Sequence, residues 1–162
     1  MLLNRAVVAL GANLGDPART FDRALELIGR DVGEVVARSA WRETPALVHP
    51  DDPVREHPPY LNGVVLVDTG LGPEETLSRL HGVERLLGRD RAAETRPWQP
   101  RTIDLDLIAF GEATRDGPGL VLPHPRMHQR DFVLGPLAEI WPDWRHPRLG
   151  RTARELLKDL AA

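Results

Sequence analysis

Four short β-type runs, with a helical stretch between the first and second and another between the third and fourth, constrain this chain more than any other feature. The first run, residues 6–10, is partly β-branched and closed by Gly11, the pattern of a buried strand. Asp16-Pro17 then opens a helix, with aspartate as cap and proline in the first turn. Phe21, Ala24, Leu25 and Ile28 keep helical spacing until Gly29 and Gly33 end it. Residues 32–44 alternate through Val36, Arg38, Ala40 and Arg42 and predict a second, longer strand. Residues 60–69 predict a third. Gly72-Pro73-Glu74-Glu75 begins a second helix, with Leu77, Leu80, Val83 and Leu87 on its apolar face and Gly88 at its end. Residues 102–110 form the fourth predicted strand, ended by Gly111. After a Gly/Pro-rich turn, residues 120–122 and Pro123-His124-Pro125, the spacing predicts helices over 130–140 and near 152–160.

The order β-α-β-β-α-β with a C-terminal helical extension predicts an α+β fold of the ferredoxin-like kind, with a largely antiparallel sheet and helices packed on one face. At 162 residues and 18.1 kDa, one domain spanning 1–162 is expected. Two stretches lack any period. Residues 45–59 carry five prolines and two histidines, and residues 88–100 are rich in arginine. Structureless connections of that length in a compact domain are usually lids or binding loops.

Composition excludes several functions. A net charge of −3 argues against nucleic-acid binding through overall charge. An RNA-binding sheet of this topology needs exposed aromatics on central strands, and only 5% of the chain is aromatic. With no cysteine there are no disulfides, zinc-thiolate sites or cysteine nucleophiles. The first apolar run is short and preceded by Asn4 and Arg5, so neither a signal peptide nor a spanning segment is visible, and a cytoplasmic protein without membrane association is expected. Lys158 is the only lysine among 21 basic residues. Arginine's planar fork suits phosphate, but codon bias alone gives the same skew, so individual arginines must be judged by position.

The chemistry concentrates in Pro100-Arg101-Thr102-Ile103-Asp104-Leu105-Asp106-Leu107-Ile108. On a strand, Asp104 and Asp106 face one side while Ile103, Leu105 and Leu107 face the core. Two carboxylates so close repel unless a cation sits between them, and magnesium completed by substrate phosphates suits the pair. A solvated edge strand would carry the same pattern. Arg89, Arg91, Arg101 and Arg130, with His124 from the Pro-His-Pro turn, supply cations of the kind that neutralise a metal–polyphosphate complex. Thr44-Pro45, Tyr60, Asn62 and Phe132 suit a flat ligand: aromatic faces to sandwich a heterocycle, and an amide to donate and accept at its edge. Core packing would equally explain the two aromatics. The Gly11-Ala-Asn13-Leu-Gly15-Asp16 segment has neither dinucleotide nor P-loop spacing and reads as a tight strand-to-helix turn in which Gly11 lets backbone approach a ligand.

These segments together resemble the 6-hydroxymethyl-7,8-dihydropterin pyrophosphokinase family of folate synthesis. The resemblance runs from about residue 6 to 142 through Leu10-Gly-Ala-Asn-Leu-Gly-Asp16, Glu43-Thr-Pro45, Tyr60-Leu-Asn62, Glu84 with Gly88-Arg89-Asp-Arg91, Trp98-Gln-Pro-Arg-Thr-Ile-Asp-Leu-Asp106 and Leu122-Pro-His-Pro-Arg-Met-His-Gln-Arg-Asp-Phe-Val-Leu134. It implies transfer of pyrophosphate from ATP to the pterin hydroxymethyl group, with AMP as the other product and two magnesium ions on Asp104 and Asp106. It further implies that Gly11, Thr44, Pro45, Leu47, Tyr60, Asn62 and Phe132 bind the pterin. Glu84, Arg91, Trp98, Arg101, Ile103, His124 and Arg130 would bind ATP, and Arg89, Arg91 and Arg101 would act with the aspartates in catalysis. A monomer whose partners are ATP and reduced pterin is implied as well. The chain departs from the family pattern at Ala46, at His81, in the length of the 45–59 loop and in an insertion at Arg96-Pro97.

Overall fold

Residues 2–45, 50–51, 58–89 and 102–162 are described in a computed structural model of the chain. Strand β1 (Asn4–Ala12) leads into helix α1 (Pro17–Asp31), and the Asp16 side chain caps that helix by accepting from the Arg19 amide at 3.3 Å. Strands β2 (Glu34–Arg38), β3 (Arg42–Thr44) and β4 (Tyr60–Thr69) follow, then α2 (Pro73–Leu86) and β5 (Asp104–Phe110). A short hairpin, β6 (Arg115–Asp116) and β7 (Val121–Leu122), precedes α3 (Asp131–Ile140) and α4 (Ala153–Ala161).

The main sheet has five strands in the order β2-β4-β1-β5, with β3 continuing along β4 beyond β2, and every pairing is antiparallel. This is the ferredoxin-like α+β arrangement expected from the element order. Helix α1 buries Phe21, Ala24, Leu27 and Ile28 on one face, and α2 buries Leu80 and Val83 beside them. Both pack against Ala6, Val8, Leu10, Val65, Val67, Ile103 and Leu105 to form the first core. Each large apolar side chain so buried contributes about 1.5–3 kcal/mol of transfer free energy.

The opposite face is covered too. Val7, Val64, Leu66 and Ile108 face Val133, Leu134 and Leu137 of α3 and Leu156 of α4, forming a second core sealed by Trp144. The indole Nε1–H of Trp144 donates to the Gly111 carbonyl at 2.8 Å. A sheet buried on both faces explains why β4 reads as a continuous apolar run, Val64-Val-Leu-Val67, rather than an alternation. The C-terminal helical extension is therefore a third layer. Among the described residues no helix is long and apolar enough to cross a membrane.

Two strands depart from the regular ladders that the spacing predicts. The single strand expected over 32–44 is broken into β2 and β3 because Ser39 replaces a ladder carbonyl. Its Oγ accepts the Val64 N–H at 3.0 Å and donates to the Ala40 carbonyl at 2.9 Å. Trp41 then drops onto β4, where its ring lies where a Cβ on Gly63 would stand and meets Phe21 edge-on at 4.9 Å between centroids. In β5 a register shift opposite Val7 and Val8 places both Ile108 and Ala109 on the second core, while Leu107 and Phe110 stay in the first.

Gly63 is thus required by the Trp41 ring. Gly63→Ala should destabilise the fold by about 1–3 kcal/mol through overpacking, read as a lowered urea midpoint. An unchanged midpoint would mean that the indole moves aside at no cost.

Candidate active site

The sheet register assembles the site. Gly11 on β1 pairs with Asn62 on β4 and with Asp104 on β5, and Asn62 in turn pairs with Arg42 on β3. One transverse row therefore carries Asn62, Gly11 and Asp104 on a common face. The next pairings add Ala9 opposite Asp106 and Thr44 opposite Tyr60. Helix α3 covers the middle of this face and stops short of the row, so a cavity of about 390 Å³ opens between the strand ends and the start of α3. That is an ordinary size for a small-molecule site.

Gly11, Thr44, Pro45, Tyr60, Asn62, Asp104, Asp106, Arg130 and Phe132, all expected from the sequence, line this one cavity. A Cβ on Gly11 would meet nothing closer than Asn62 Oδ1 at 3.7 Å, so packing does not demand glycine there and a side chain would simply fill the floor. Asn62 Nδ2 donates to Thr44 Oγ1 at 2.7 Å, which fixes the amide with its oxygen available to a ligand. Buried Asn13 supports the same wall from behind, its Nδ2 donating to the Pro58 carbonyl at 3.0 Å two residues before Tyr60. Phe132 stands in the first turn of α3, with the Arg130 guanidinium 5.7 Å from its ring centre.

Asp104 and Asp106 lie half-buried on the cavity face, while Ile103, Leu105 and Leu107 are buried behind them, as the alternation predicts. Beneath Asp104 lies a buried polar cluster. Arg89 Nη1 donates to Asp104 Oδ1 at 2.8 Å, to the Ile103 carbonyl at 3.0 Å and to Glu84 Oε2 at 3.2 Å. The same Glu84 oxygen accepts the Leu105 N–H at 2.8 Å. The side chains of Glu84 and Arg89 are 1% and 3% exposed, against 20% for Asp104. Glu84, Arg89 and Ile103, expected to contact nucleotide or phosphate, lie beneath Asp104 and outside the described cavity lining. Ile103 in particular turns its side chain into the first core.

His124 is half-buried, and its backbone N–H donates to the Ile108 carbonyl at 2.8 Å, which ties the Pro-His-Pro turn to β5. Its Nδ1 accepts from the Arg126 amide at 3.2 Å, so the ring carries its proton on Nε2. Burial and the positive charge of Arg130 push its pKa down, Asp104 opposes them, and Arg126 lowers it further. The result is a neutral imidazole with one N–H donor. Arg126 also lines the cavity and was not singled out in the sequence, although it lies inside the Pro-His-Pro-Arg-Met-His segment whose histidine and following arginine were. Leu47, Arg91, Trp98 and Arg101, along with Ala46 and the Arg96-Pro97 insertion, lie outside the described residues.

The model of one protein family, 7,8-dihydro-6-hydroxymethylpterin-pyrophosphokinase, matches residues 7–142, which hold every residue of this cavity. The chain belongs to this family. Such an enzyme transfers pyrophosphate to hydroxymethyldihydropterin in folate biosynthesis. The chain is 40% identical to the 2-amino-4-hydroxy-6-hydroxymethyldihydropteridine pyrophosphokinase of Methylorubrum extorquens, over 98% of this chain and 94% of that protein. Identity to the pyrophosphokinases so named in Pseudomonas aeruginosa and Synechocystis is 39%, covering 96% of this chain and 91% and 75% of those proteins. A solved Plasmodium falciparum HPPK-DHPS bound to pteroate shares the fold, with a TM-score of 0.76 at 17% identity. The alignment covers 98% of this chain and 44% of that one, so this pyrophosphokinase spans less than half of the longer protein.

The depressed pKa of His124 has a definite consequence for stability. The unfolded value is about 6.5, so the unfolded chain takes up the proton first as pH falls. Stability from neutral His124 is complete above about pH 6.5 and is lost as pH falls from there toward the lower folded value. His146 is depressed in the same direction, by burial first. The urea midpoint of the wild type should therefore fall more between about pH 7.5 and about pH 5.5 than that of His124→Gln. Equal losses in both would show that His124 contributes nothing.

Proposed function

We propose that ATP is the pyrophosphate donor and AMP the leaving product, and that magnesium is held by Asp104 and Asp106. The single observation that carries this reading is that the two carboxylates open into the same cavity as Thr44, Asn62, Tyr60 and Phe132. A site for a flat heterocycle and a site for a metal–polyphosphate complex are thereby adjacent. The donor set at the carboxylates is all oxygen, which suits magnesium completed by phosphate oxygens and water. No larger cluster of His, Cys, Asp or Glu occurs among the described residues to suggest another metal. Two ions are expected from the family resemblance. When bound, magnesium supplies charge stabilisation at the phosphates and promotes ionisation of the attacking hydroxyl.

The protein's own contribution is positioning and charge. Tyr60 and Phe132 hold the pterin ring by its faces, and the Asn62 amide, oriented by Thr44, meets its edge. Gly11 leaves room for the ring against the strand. The hydroxymethyl oxygen is thereby directed toward Asp104 and Asp106. In the reaction this oxygen bonds to the β-phosphorus of ATP, the bond from that phosphorus to the α–β bridging oxygen breaks, and AMP leaves. The hydroxyl proton is released to solvent. Neutral His124 offers its Nε2–H, and Arg130 its guanidinium, to phosphate oxygens. Arg91 and Arg101 are assigned to the same phosphates, and Leu47 and Trp98 to the pterin and ATP sides, from the family resemblance. Arg89 and Glu84 act through Asp104 by holding the start of β5. The rate enhancement comes from orientation and preorganised charge rather than from a dedicated base.

We also read residues 1–162 as one domain, because both cores share a single sheet. Among the described residues the exposed large apolar side chains are dispersed, from Leu2 and Leu14 through Val36, Leu86 and Val121 to Leu149 and Leu160, which supports a monomer, and the reading includes a cytoplasmic location and no nucleic-acid partner.

The decisive assay follows products from ATP with and without 6-hydroxymethyl-7,8-dihydropterin. AMP should form only when the pterin is present, and ADP as the product would overturn the proposal. Asp106→Asn should lower kcat by at least about a hundredfold and raise the magnesium concentration needed for half-maximal rate, with the fold retained by circular dichroism. Wild-type turnover in that variant would remove Asp106 from the metal site.

A further inference from the structure

We infer that Arg126 binds the polyphosphate of the donor, as a second guanidinium beside Arg130 at the cavity wall. This rests on the reading of Asp104 and Asp106 as the phosphate end of the site. Arg126 lines the cavity together with both carboxylates and Arg130. Its backbone is pinned while its side chain is exposed: the amide donates to His124 Nδ1 at 3.2 Å, and the carbonyl accepts from the Gln129 amide at 3.0 Å. A rigid base and a free head are what a residue needs to meet a ligand without losing much order on binding.

The charge arrangement points the same way. Some surface arginines are matched by carboxylates, as in Arg5 with Asp68, Arg30 with Asp31 and Arg151 with Asp159, while Arg38 lies over the Trp41 ring. Among the described residues no ion pair engages the guanidinium of Arg126 or of Arg130. Both line the one cavity that Asp104 and Asp106 open into, so their positive charges face the same small volume. Two guanidiniums held together repel unless an anion lies between them. Asp104 is already engaged by Arg89. The anion that fits is a phosphate chain, which accepts from both planar forks. The pterin is uncharged at this end, so Arg126 should distinguish phosphate-bearing ligands from pterin.

The test uses Arg126→Ala, Arg126→Gln and Arg126→Lys. Pterin affinity without nucleotide, followed by pterin fluorescence, should match the wild type in all three. Affinity for a non-hydrolysable α,β-methylene ATP analogue with magnesium should fall roughly tenfold or more in the Ala and Gln variants, with KM for ATP rising in parallel. Lysine should restore part of the loss. Unchanged analogue affinity in the Ala and Gln variants would overturn the inference, as would an equal loss of pterin affinity, which would mean that Arg126 only shapes the cavity. If the wild type binds no analogue, or Asp106→Asn binds it as tightly as the wild type, the reading of the phosphate end fails instead, and with it the inference.

Discussion

The site depends on a buried charge cluster at the first residue of β5. Glu84 reaches from α2 to the Leu105 amide, and Arg89 bridges Glu84 to Asp104 and to the Ile103 carbonyl. Burying such groups costs several kcal/mol per ion, so the cluster is poor value as a stabiliser compared with well-packed apolar residues. What it supplies is phase. A one-residue slip in a strand exchanges its two faces, and here a slip would bury Asp104 and Asp106 and present Leu105 and Leu107 to the cavity. The cluster resists that slip because Glu84 accepts only where an amide points at it and Arg89 meets a carboxylate only in one register.

Around that anchor, the third layer decides where the sheet stays uncovered. Val7, Val64, Leu66 and Ile108 are sealed by α3 and α4, whereas Gly11, Asn62 and Asp104, toward the other end of the same strands, are not. The border between the two regions is the start of α3, which delivers Phe132 and Arg130 to the cavity. The proline-rich connection meets this region at both ends, through the Thr44–Tyr60 pairing and the Asn13–Pro58 hydrogen bond. The cavity-lining side chains thus sit on strands and a helix start, elements stiff enough to hold a small ligand in a fixed orientation.

Periodicity made much of this legible. The four strands, the two sheet-packing helices and the face shared by Asp104 and Asp106 all follow from spacing. Spacing could not show that Ser39 would take over a ladder hydrogen bond, since that depends on Val64, twenty-five positions away. Nor could it separate Arg89 from Arg130. Both are arginines in motif segments flanking the aspartates, and only the fold shows that one is buried against Glu84 while the other faces the cavity. Arg126 was missed for the converse reason: it had no pattern of its own, and its place depends on the turn that also fixes His124. The paired carboxylates alone could have belonged to a solvated edge strand, and only the fold shows that they share a cavity with Thr44, Tyr60, Asn62 and Phe132.

The arginine skew can now be sorted by partner rather than by composition. One group sits in exposed pairs such as Arg5–Asp68 and Arg151–Asp159, which contribute little each. Arg89 is buried, paired with Glu84 and Asp104. Arg126 and Arg130 face the cavity, and they add to burial, the larger cause, in disfavouring the cationic form of His124. A third cation there would repel both guanidiniums, whereas a neutral ring with Nδ1 engaged still presents an N–H donor. The cavity wall therefore carries the positive charge of two arginines without further repulsion from the nearby ring. A phosphate chain between this wall and a metal on Asp104 and Asp106 would be neutralised from both sides, as an in-line displacement at phosphorus requires.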